Sequence, residues 1–271
     1  MAPVSKSVEL PNQVRLPYVE AGDPSGLPVL LLHGFADSWR SFEQVLDHLP
    51  ASILAIALTQ RGHGDASKPA SGYHVRDFAA DLDAFMDAVH VGAAVIAGHS
   101  MGSAVAQRFA VDHPERTLGL VLVGASASIR GNPGARQFWE STISRLTDPI
   151  DPGFVREFVE RTVAKPLPPA AFERLLQESR KVPAHVWKAA FESRFRSEDD
   201  YSEKLGKIKA PTLIVWGDQD ARYPRGDQEA LTAAIPGARL AVYPGAGHLL
   251  HLEQPDRFAR DLAAFVNSLA L

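Results

Sequence analysis

The sequence predicts an α/β fold with a mostly parallel central sheet and a helical insertion. Three observations indicate this fold class: short apolar runs without alternation, segments of helical spacing between them, and a long middle stretch that lacks such runs. Continuous hydrophobicity is typical of strands that are buried on both faces. Strands that alternate with helices form parallel sheets with right-handed crossovers.

The apolar runs predict five buried strands, each bounded by turn residues. They lie at residues 29–32 (VLLL), 53–58 (ILAIAL), 93–97 (AAVIA), 118–123 (LGLVLV) and 212–216 (TLIVW). Residues 239–243 are the candidate for a last strand. The segments near residues 5–10 and 13–20 alternate more, so we expect them to form an antiparallel hairpin at one edge of the sheet.

Helical spacing appears between several of these strands. In residues 75–89, Phe78, Leu82 and Phe85 recur at intervals of three or four, which predicts an amphipathic helix. Residues 104–111 follow the third strand and consist mainly of small and apolar side chains, which suits a helix that lies on a sheet.

The alternation of strands and helices stops after Ala125. Residues 126–204 contain no buried-strand pattern, and seven prolines punctuate their helical stretches. The strand pattern resumes after Pro211. We therefore expect a core made of residues 1–125 and 205–271, with residues 126–204 forming a helical cap.

The composition is that of a globular protein, since 45% of the 271 residues are hydrophobic and 22% are charged. A net charge of −4 and the lack of lysine- or arginine-rich runs predict no nucleic-acid partner. The opening MAPVSKSVEL lacks the apolar core of a signal peptide, and the apolar runs are too short to cross a bilayer. We expect a cytoplasmic protein without a membrane partner. There is no cysteine, which excludes thiolate catalysis.

Residues 95–104 read VIAGHSMGSA and contain the pattern Gly-x-Ser-x-Gly around Ser100. The pentapeptide alone has little weight, because a chain of this length shows it by chance about one time in ten. Here it follows a buried strand and precedes a helical segment, which is the setting of a nucleophile on a sharp turn. Gly98 and Gly102 would let the strand and the helix approach closely.

A serine hydroxyl needs a base, and the base needs a group that orients it. In an open α/β sheet such groups lie at the carboxyl ends of strands. Asp220 follows the fifth buried strand, and His248 follows the last candidate strand. The chain order Ser100, Asp220, His248 is the order expected of this architecture. Asp218 lies in the same turn as Asp220 and is the alternative acid.

Together these features resemble the α/β-hydrolase-fold serine hydrolases, such as esterases and lactonases, over nearly the whole chain. Besides the motif around Ser100, the matching stretches are His33-Gly34-Phe35, Arg61-Gly62-His63-Gly64, Trp216-Gly217-Asp218-Gln219-Asp220 with Pro224, and Gly247-His248 with His251, Glu253 and Pro255. Thr59 and Gln60 stand before Arg61, where the family commonly has an acidic residue. The hydrogen bonding of that loop is therefore left open.

The resemblance implies a role for each of five residues. Ser100 would be the nucleophile, His248 the general base and acid, and Asp220 the residue that orients the imidazole. The backbone N–H groups of Phe35 and Met101 would form the oxyanion hole. The family pattern also favours Asp220 over Asp218, which would support the turn instead.

His248, His251 and Glu253 could also be taken for metal ligands. Their spacing in a loop lacks the helical i, i+4 arrangement of two ligating histidines, so we expect no metal and no cofactor. His251 is instead expected to be structural. His33 and His99 are expected to hydrogen-bond to the backbone near the oxyanion hole.

Three aromatic residues are candidates for the substrate pocket. Trp187 shares one face of a predicted cap helix with Phe191, while Trp39 follows the oxyanion segment and Tyr223 follows Asp220. Several aromatic stripes in the cap favour an apolar substrate. The expected partner is a small apolar ester or lactone, and the sequence predicts neither its identity nor the oligomeric state.

The expected reaction is hydrolysis of a carboxylic ester or lactone through an acyl-serine intermediate. The same three residues could instead hydrolyse a carbon–carbon bond or form peracids. Carbon–carbon hydrolases of this family often carry a Gly-x-Gly-rich segment where this chain has Phe35-Ala36-Asp37-Ser38. A slow ligand-binding or signalling protein is an alternative of another class, and Gly102 favours a working enzyme because some such relatives lack that glycine.

Overall fold

A computed structural model describes residues 4–195 and 200–269 of the chain. Eight strands form one sheet in the order β1-β2-β4-β3-β5-β6-β7-β8. They are β1 (Val4–Glu9), β2 (Arg15–Ala21), β3 (Leu27–Leu32), β4 (Ile53–Leu58), β5 (Ala94–His99), β6 (Thr117–Val123), β7 (Thr212–Gly217) and β8 (Arg239–Tyr243). β2 pairs antiparallel with β1 and with β4, and the other neighbours are parallel. The predicted fold class, with its hairpin at one edge, is confirmed.

The described residues form ten α-helices. They are α1 (Glu43–His48), α2 (Val75–Ala88), α3 (Met101–Asp112), α4 (Pro133–Ser141), α5 (Pro152–Glu160), α6 (Pro169–Arg180), α7 (Ala184–Ser193), α8 (Arg225–Ala234), α9 (Leu250–Glu253) and α10 (Pro255–Asn267). Four of them begin with proline, whose fixed φ and missing N–H suit the first helical position. α4 to α7 lie between β6 and β7, in the segment expected to form the cap.

The core consists of two apolar clusters, one on each face of the sheet. In β3, Leu30 and Leu32 belong to one cluster, and Val29 and Leu31 belong to the other. Because successive side chains of a strand point to opposite faces, both faces must be apolar. The strands therefore show continuous rather than alternating hydrophobicity in the sequence.

The strand order places the candidate site. β3 has β4 on one side and β5 on the other, so the chain winds in opposite directions from this point of the sheet. In such sheets ligands bind at the carboxyl ends of the strands, beside the reversal. Leu32 pairs with Gly98 there, so the loop after β3 lies beside Ser100. Within the part of the chain that the structure describes, no helix is long and apolar enough to cross a membrane.

Candidate active site

Ser100 lies on a sharp turn between β5 and α3. Its φ of 51° and ψ of −111° are unusual for a residue with a side chain, and such strain is common at functional sites. A Cβ on Gly98 would stand 2.2 Å from the carbonyl oxygen of Gly102, and one on Gly102 would stand 2.3 Å from that of Leu32. Both positions therefore require glycine, since any side chain would push the strand and the helix apart.

The structure brings Ser100, His248 and Asp220 together. The Nε2 atom of His248 lies 2.9 Å from Ser100 Oγ, and its Nδ1 atom lies 2.8 Å from Asp220 Oδ2. Asp220 is ionised and accepts from Nδ1–H, so Nε2 is free to accept the proton of the serine hydroxyl. The three side chains, which are distant in sequence, form one continuous hydrogen-bonded row.

Asp220 is held in its charged form although it is buried. Burial alone would raise its pKa, but the nearby His248 and their shared hydrogen bond lower it, as do the backbone N–H groups of Arg222 and Tyr223, so its pKa lies below the ordinary value. These two N–H groups donate to Asp220 Oδ1 at 2.8 and 3.2 Å. The carboxylate is therefore fixed in orientation before any substrate binds.

Gly124, at the end of β6, leaves room for the His248 ring. Its φ is +52°, and a Cβ there would stand 2.9 Å from His248 Nδ1. A side chain at this position would collide with the ring that Asp220 orients. This contact explains why position 124 is a glycine and cannot carry a carboxylate side chain.

The backbone N–H groups of Phe35 and Met101 are the candidates for the oxyanion hole. Met101 is the first residue of α3, and Phe35 follows Gly34 in the loop after β3. Neither amide is used in the turn and loop hydrogen bonds found in the described parts of the chain. A Cβ on Gly34 would stand 2.5 Å from His99 Nδ1, so glycine allows this loop to approach β5. The arrangement can donate two hydrogen bonds to a developing anion.

His33 and Gln60 fasten the loop after β3 to the loop after β4. The N–H of Gln60 donates to His33 Nε2 at 3.0 Å, so the proton of the imidazole is on Nδ1, which lies 2.7 Å from the Gly34 carbonyl oxygen. The Gln60 side chain donates to the His33 carbonyl oxygen at 2.8 Å. Burial, with the nearby His63, holds the pKa of His33 well below its usual range. The unusual Gln60 therefore serves the oxyanion loop.

His99 and His251 lie behind the hydrogen-bonded row of Ser100, His248 and Asp220. The Nε2 atom of His99 is 3.0 Å from the carbonyl oxygen of His248, and the rings of His99 and His251 are 4.4 Å apart. Burial lowers the pKa of His251 to about 3 and holds the pKa of His99 well below its usual range. Both rings are therefore neutral and fill the space behind this row. Asp218 accepts from the Gly245 N–H at 2.7 Å and supports its turn. Among the residues that the structure describes, no group of three potential ligands could hold a metal ion.

A narrow cavity of about 90 Å³ opens beside Ser100. Its walls are mostly apolar and come from the loop after β3, from helices α5 to α7 and from the loop after β7. They include Phe35, Met101, Ile129, Phe158, Leu175, Phe191 and Tyr223. Tyr223, one of the three aromatic candidates, is among these lining residues.

The expectation for Trp39 and Trp187 requires correction, because neither side chain lines this cavity. Trp187 is fully buried one layer behind the wall, where its ring packs 4.7 Å from that of Phe35 and 4.9 Å from that of Phe158. Trp39 points toward the other face of the sheet, with the Arg40 guanidinium 4.7 Å above its ring. Helical spacing predicts which side chains share one face of a helix, but it does not predict which other residues pack over that face.

Three charged residues of the cavity wall were missed by the sequence analysis. Asp37, Arg194 and Arg222 line the same space as Ser100. Burial raises the pKa of Asp37 to about 7; the Ser38 N–H opposes this shift, and the negative charge of Glu178 adds to it. Arg222 stands two residues after Asp220, and this nearness to the proposed acid was the one available signal.

The chain is similar to known proteins over almost its whole length. The sequence profile of the alpha/beta hydrolase fold matches residues 28–255. The chain is 30% identical over 251 residues to the dihydrolipoyllysine-residue acetyltransferase component of an acetoin cleaving system from Cupriavidus necator. That match covers 90% of this chain and 64% of the relative, so the chain spans less than two thirds of that protein.

Two further similarities extend over whole chains. A non-heme chloroperoxidase from Streptomyces lividans is 28% identical over 271 residues, which covers 93% of this chain and 95% of the relative. The crystal structure of an esterase from Rhodococcus sp. ECU1013 superposes with a TM-score of 0.85 at 28% identity and covers 100% of both chains. These similarities support a hydrolase. Since the family profile matches most of its length, the chain belongs to the α/β-hydrolase fold family.

Proposed function

We propose that this protein is a serine hydrolase that cleaves a small carboxylic ester or lactone through an acyl intermediate on Ser100. One observation carries the proposal: the hydrogen-bonded row from Ser100 Oγ through His248 to Asp220, which ends beside a cavity. The similarity to an esterase of known structure supports the same reaction class. The narrow cavity favours a short acyl chain.

The first half of the reaction forms the acyl-enzyme. Ser100 Oγ attacks the carbonyl carbon while its proton passes to His248 Nε2, and Asp220 stabilises the imidazolium. The N–H groups of Phe35 and Met101 stabilise the negative oxygen of the tetrahedral intermediate. The bond to the leaving oxygen then breaks as His248 returns the proton to it.

The second half releases the acid. A water molecule gives a proton to His248 Nε2 while its oxygen attacks the acyl carbon, which forms a second tetrahedral intermediate. The bond to Ser100 Oγ breaks, and the serine takes back the proton from His248. Water is the only co-reactant, and the enzyme returns to its starting state.

The experiment compares hydrolysis of p-nitrophenyl acetate, butyrate and octanoate by the unchanged protein, by Ser100→Ala and by Ser268→Ala. Ser268 is exposed at the end of α10 and serves as the matched control. We expect Ser100→Ala to lose at least about a thousandfold in kcat with an unaltered melting temperature, and Ser268→Ala to keep full activity. Turnover by Ser100→Ala equal to that of the unchanged protein would overturn the proposal.

A second candidate is perhydrolysis, in which hydrogen peroxide replaces water in the deacylation step and yields a peracid. The relative from Streptomyces lividans that is named a non-heme chloroperoxidase favours this candidate. Peracid formed from acetate and hydrogen peroxide can be measured by halide oxidation.

The alternative of a slow ligand-binding protein is tested in the p-nitrophenyl ester assays, since a receptor would stop near one equivalent of product.

A further inference from the structure

Arg222 borders two spaces of the structure. Arg222 lines the cavity beside Ser100 and also a larger, more open groove between α4, α5 and the loop after β7. The two spaces share Ile129, Phe158, Phe191 and Tyr223 as well. Arg222 is the one charged side chain among these five shared wall residues.

Among the described residues, the charge of Arg222 is incompletely compensated. Its guanidinium stands 4.5 Å above the ring of Phe158 and donates one long hydrogen bond, 3.4 Å, to the Phe158 carbonyl oxygen. Within residues 4–195 and 200–269, no carboxylate forms an ion pair with it. Asp220 favours its charge from a distance, but the oxygens of Asp220 already accept from His248 and from two backbone N–H groups.

The surroundings of Arg222 disfavour its positive charge, which an anion in the cavity would stabilise. Burial lowers its pKa, and the positive charge of Arg161 acts in the same direction. Arg194 adds a second guanidinium to the cavity wall. Asp37 is the one carboxylate among the described wall residues, and its pKa of about 7 leaves it partly protonated near neutral pH. An arginine stays charged in proteins, so this wall is positive.

We infer that the substrate of this site carries a carboxylate, which pairs with Arg222 while the ester carbonyl lies at Ser100. The inference rests on the proposed function and narrows its substrate class to anionic esters or lactones. A planar guanidinium binds a carboxylate with two parallel hydrogen bonds, and removal from water strengthens such pairs. The apolar substrate expected from the aromatic side chains is replaced by one with an apolar body and a charged end.

The carboxylate can belong to the acyl part or to the leaving group, and two matched pairs of esters distinguish these sources. Monomethyl glutarate and methyl pentanoate differ in charge on the acyl side. 4-Acetoxybenzoate and its methyl ester differ in charge on the leaving group. In at least one pair we expect the acid to have a kcat/KM at least about tenfold higher than that of its neutral partner.

The variants Arg222→Gln and Arg225→Gln test the residue itself. Arg225 is exposed at the start of α8, so its replacement removes the same charge outside the cavity. We expect Arg222→Gln to lower kcat/KM for the preferred acid at least about tenfold more than kcat/KM for its neutral partner, while Arg225→Gln leaves the preference for the acid unchanged. Inhibition of neutral-ester hydrolysis by glutarate, compared with uncharged glutaramide, tests the unchanged protein if Arg222→Gln does not fold.

The possible results separate the two proposals. Equal turnover or a preference for the neutral ester in both pairs, or a charge preference that survives in Arg222→Gln, would overturn the anion site and leave the hydrolase intact. Glutarate that inhibits no better than glutaramide would overturn it as well. If the unchanged protein cleaves p-nitrophenyl esters but none of the four test esters, the anion site alone is overturned. If it cleaves neither group of esters, the proposed function fails and the anionic substrate fails with it.

Discussion

His248 donates a hydrogen bond of 2.8 Å from Nδ1 to Oδ2 of Asp220, and both side chains are almost completely removed from water. The carboxylate cannot turn away, because its other oxygen accepts two backbone N–H groups. One tautomer of the imidazole is thereby selected, with Nε2 unprotonated beside Ser100 Oγ. The orientation of His248 thus depends on a charge held 28 residues earlier in the chain.

Replacement of that charge tests its role. In Asp220→Asn the amide can present its N–H₂ group to His248 Nδ1, which favours the wrong tautomer and puts a proton on Nε2. We expect kcat for p-nitrophenyl butyrate to fall by about 10⁴ at neutral pH, with a circular dichroism spectrum like that of the unchanged protein.

Asp218→Asn is the matched control for this variant. Asp218 lies in the same turn, but its carboxylate accepts from the Gly245 N–H, a bond that an amide oxygen can keep. We expect at least about half of the activity to remain, because the residue only supports the turn. A larger loss in Asp218→Asn than in Asp220→Asn would exchange the roles of the two residues.

The close contact of Gly102 with Leu32 leads to a steric prediction. In Gly102→Ala the new methyl group would stand 2.3 Å from the Leu32 carbonyl oxygen, so the start of α3 must shift away from β3. We expect a loss of about 1–3 kcal/mol in the free energy of unfolding and a lower kcat, because the Met101 N–H moves with the helix. Urea denaturation and ester hydrolysis measure the two effects.

Gly226→Ala provides the comparison in another helix. Apart from the adjacent residues and the backbone of its own helix, a Cβ there meets no heavy atom within 4 Å, and Gly226 is the second residue of α8. Alanine should keep or slightly raise the stability, since it is the better helix former. Equal destabilisation by both substitutions would mean that the contact with Leu32 does not explain the need for glycine at position 102.

The buried carboxyl of Asp37 predicts a pH dependence of stability. Its folded pKa of about 7 lies above its unfolded value, because burial disfavours the charged form. The protonated carboxyl therefore contributes fully to the free energy of unfolding below the unfolded pKa, and this contribution is lost as the pH rises through about 7. We expect Asp37→Asn to unfold at a higher temperature than the unchanged protein near pH 8. The difference should shrink toward about pH 5, and an equal difference at both pH values would rule out the titration of Asp37 as its cause.

The buried strands could be predicted from the sequence, because burial on both faces makes their hydrophobicity continuous. The third buried strand was predicted at residues 93–97, whereas β5 continues to His99. The apolar run ends earlier because Gly98 and His99 add no hydrophobicity. The helix predicted from residue 104 begins at Met101. Its first residues are set by the turn at Ser100 rather than by apolar spacing.

The meeting of Ser100, Asp220 and His248 could be predicted because each follows a strand, and parallel strands end at one edge. The contents of the pocket could not be predicted in this way. Trp187 has the helical spacing of the wall residue Phe191, but its ring packs behind Phe35 and Phe158. Arg222 lies in a loop, where no periodicity shows which side of the chain faces the cavity.

Covalent labelling of Ser100 tests the central proposal most directly. The protein is incubated with diisopropyl fluorophosphate, which modifies a serine activated by a neighbouring base, and the modified peptide is identified by mass spectrometry while esterase activity is followed. We expect one phosphoryl group per chain, located on Ser100 and formed at the rate at which activity disappears, with no label in His248→Asn. Full activity after complete labelling of Ser100, or loss of activity with the label on another residue, would contradict the proposal.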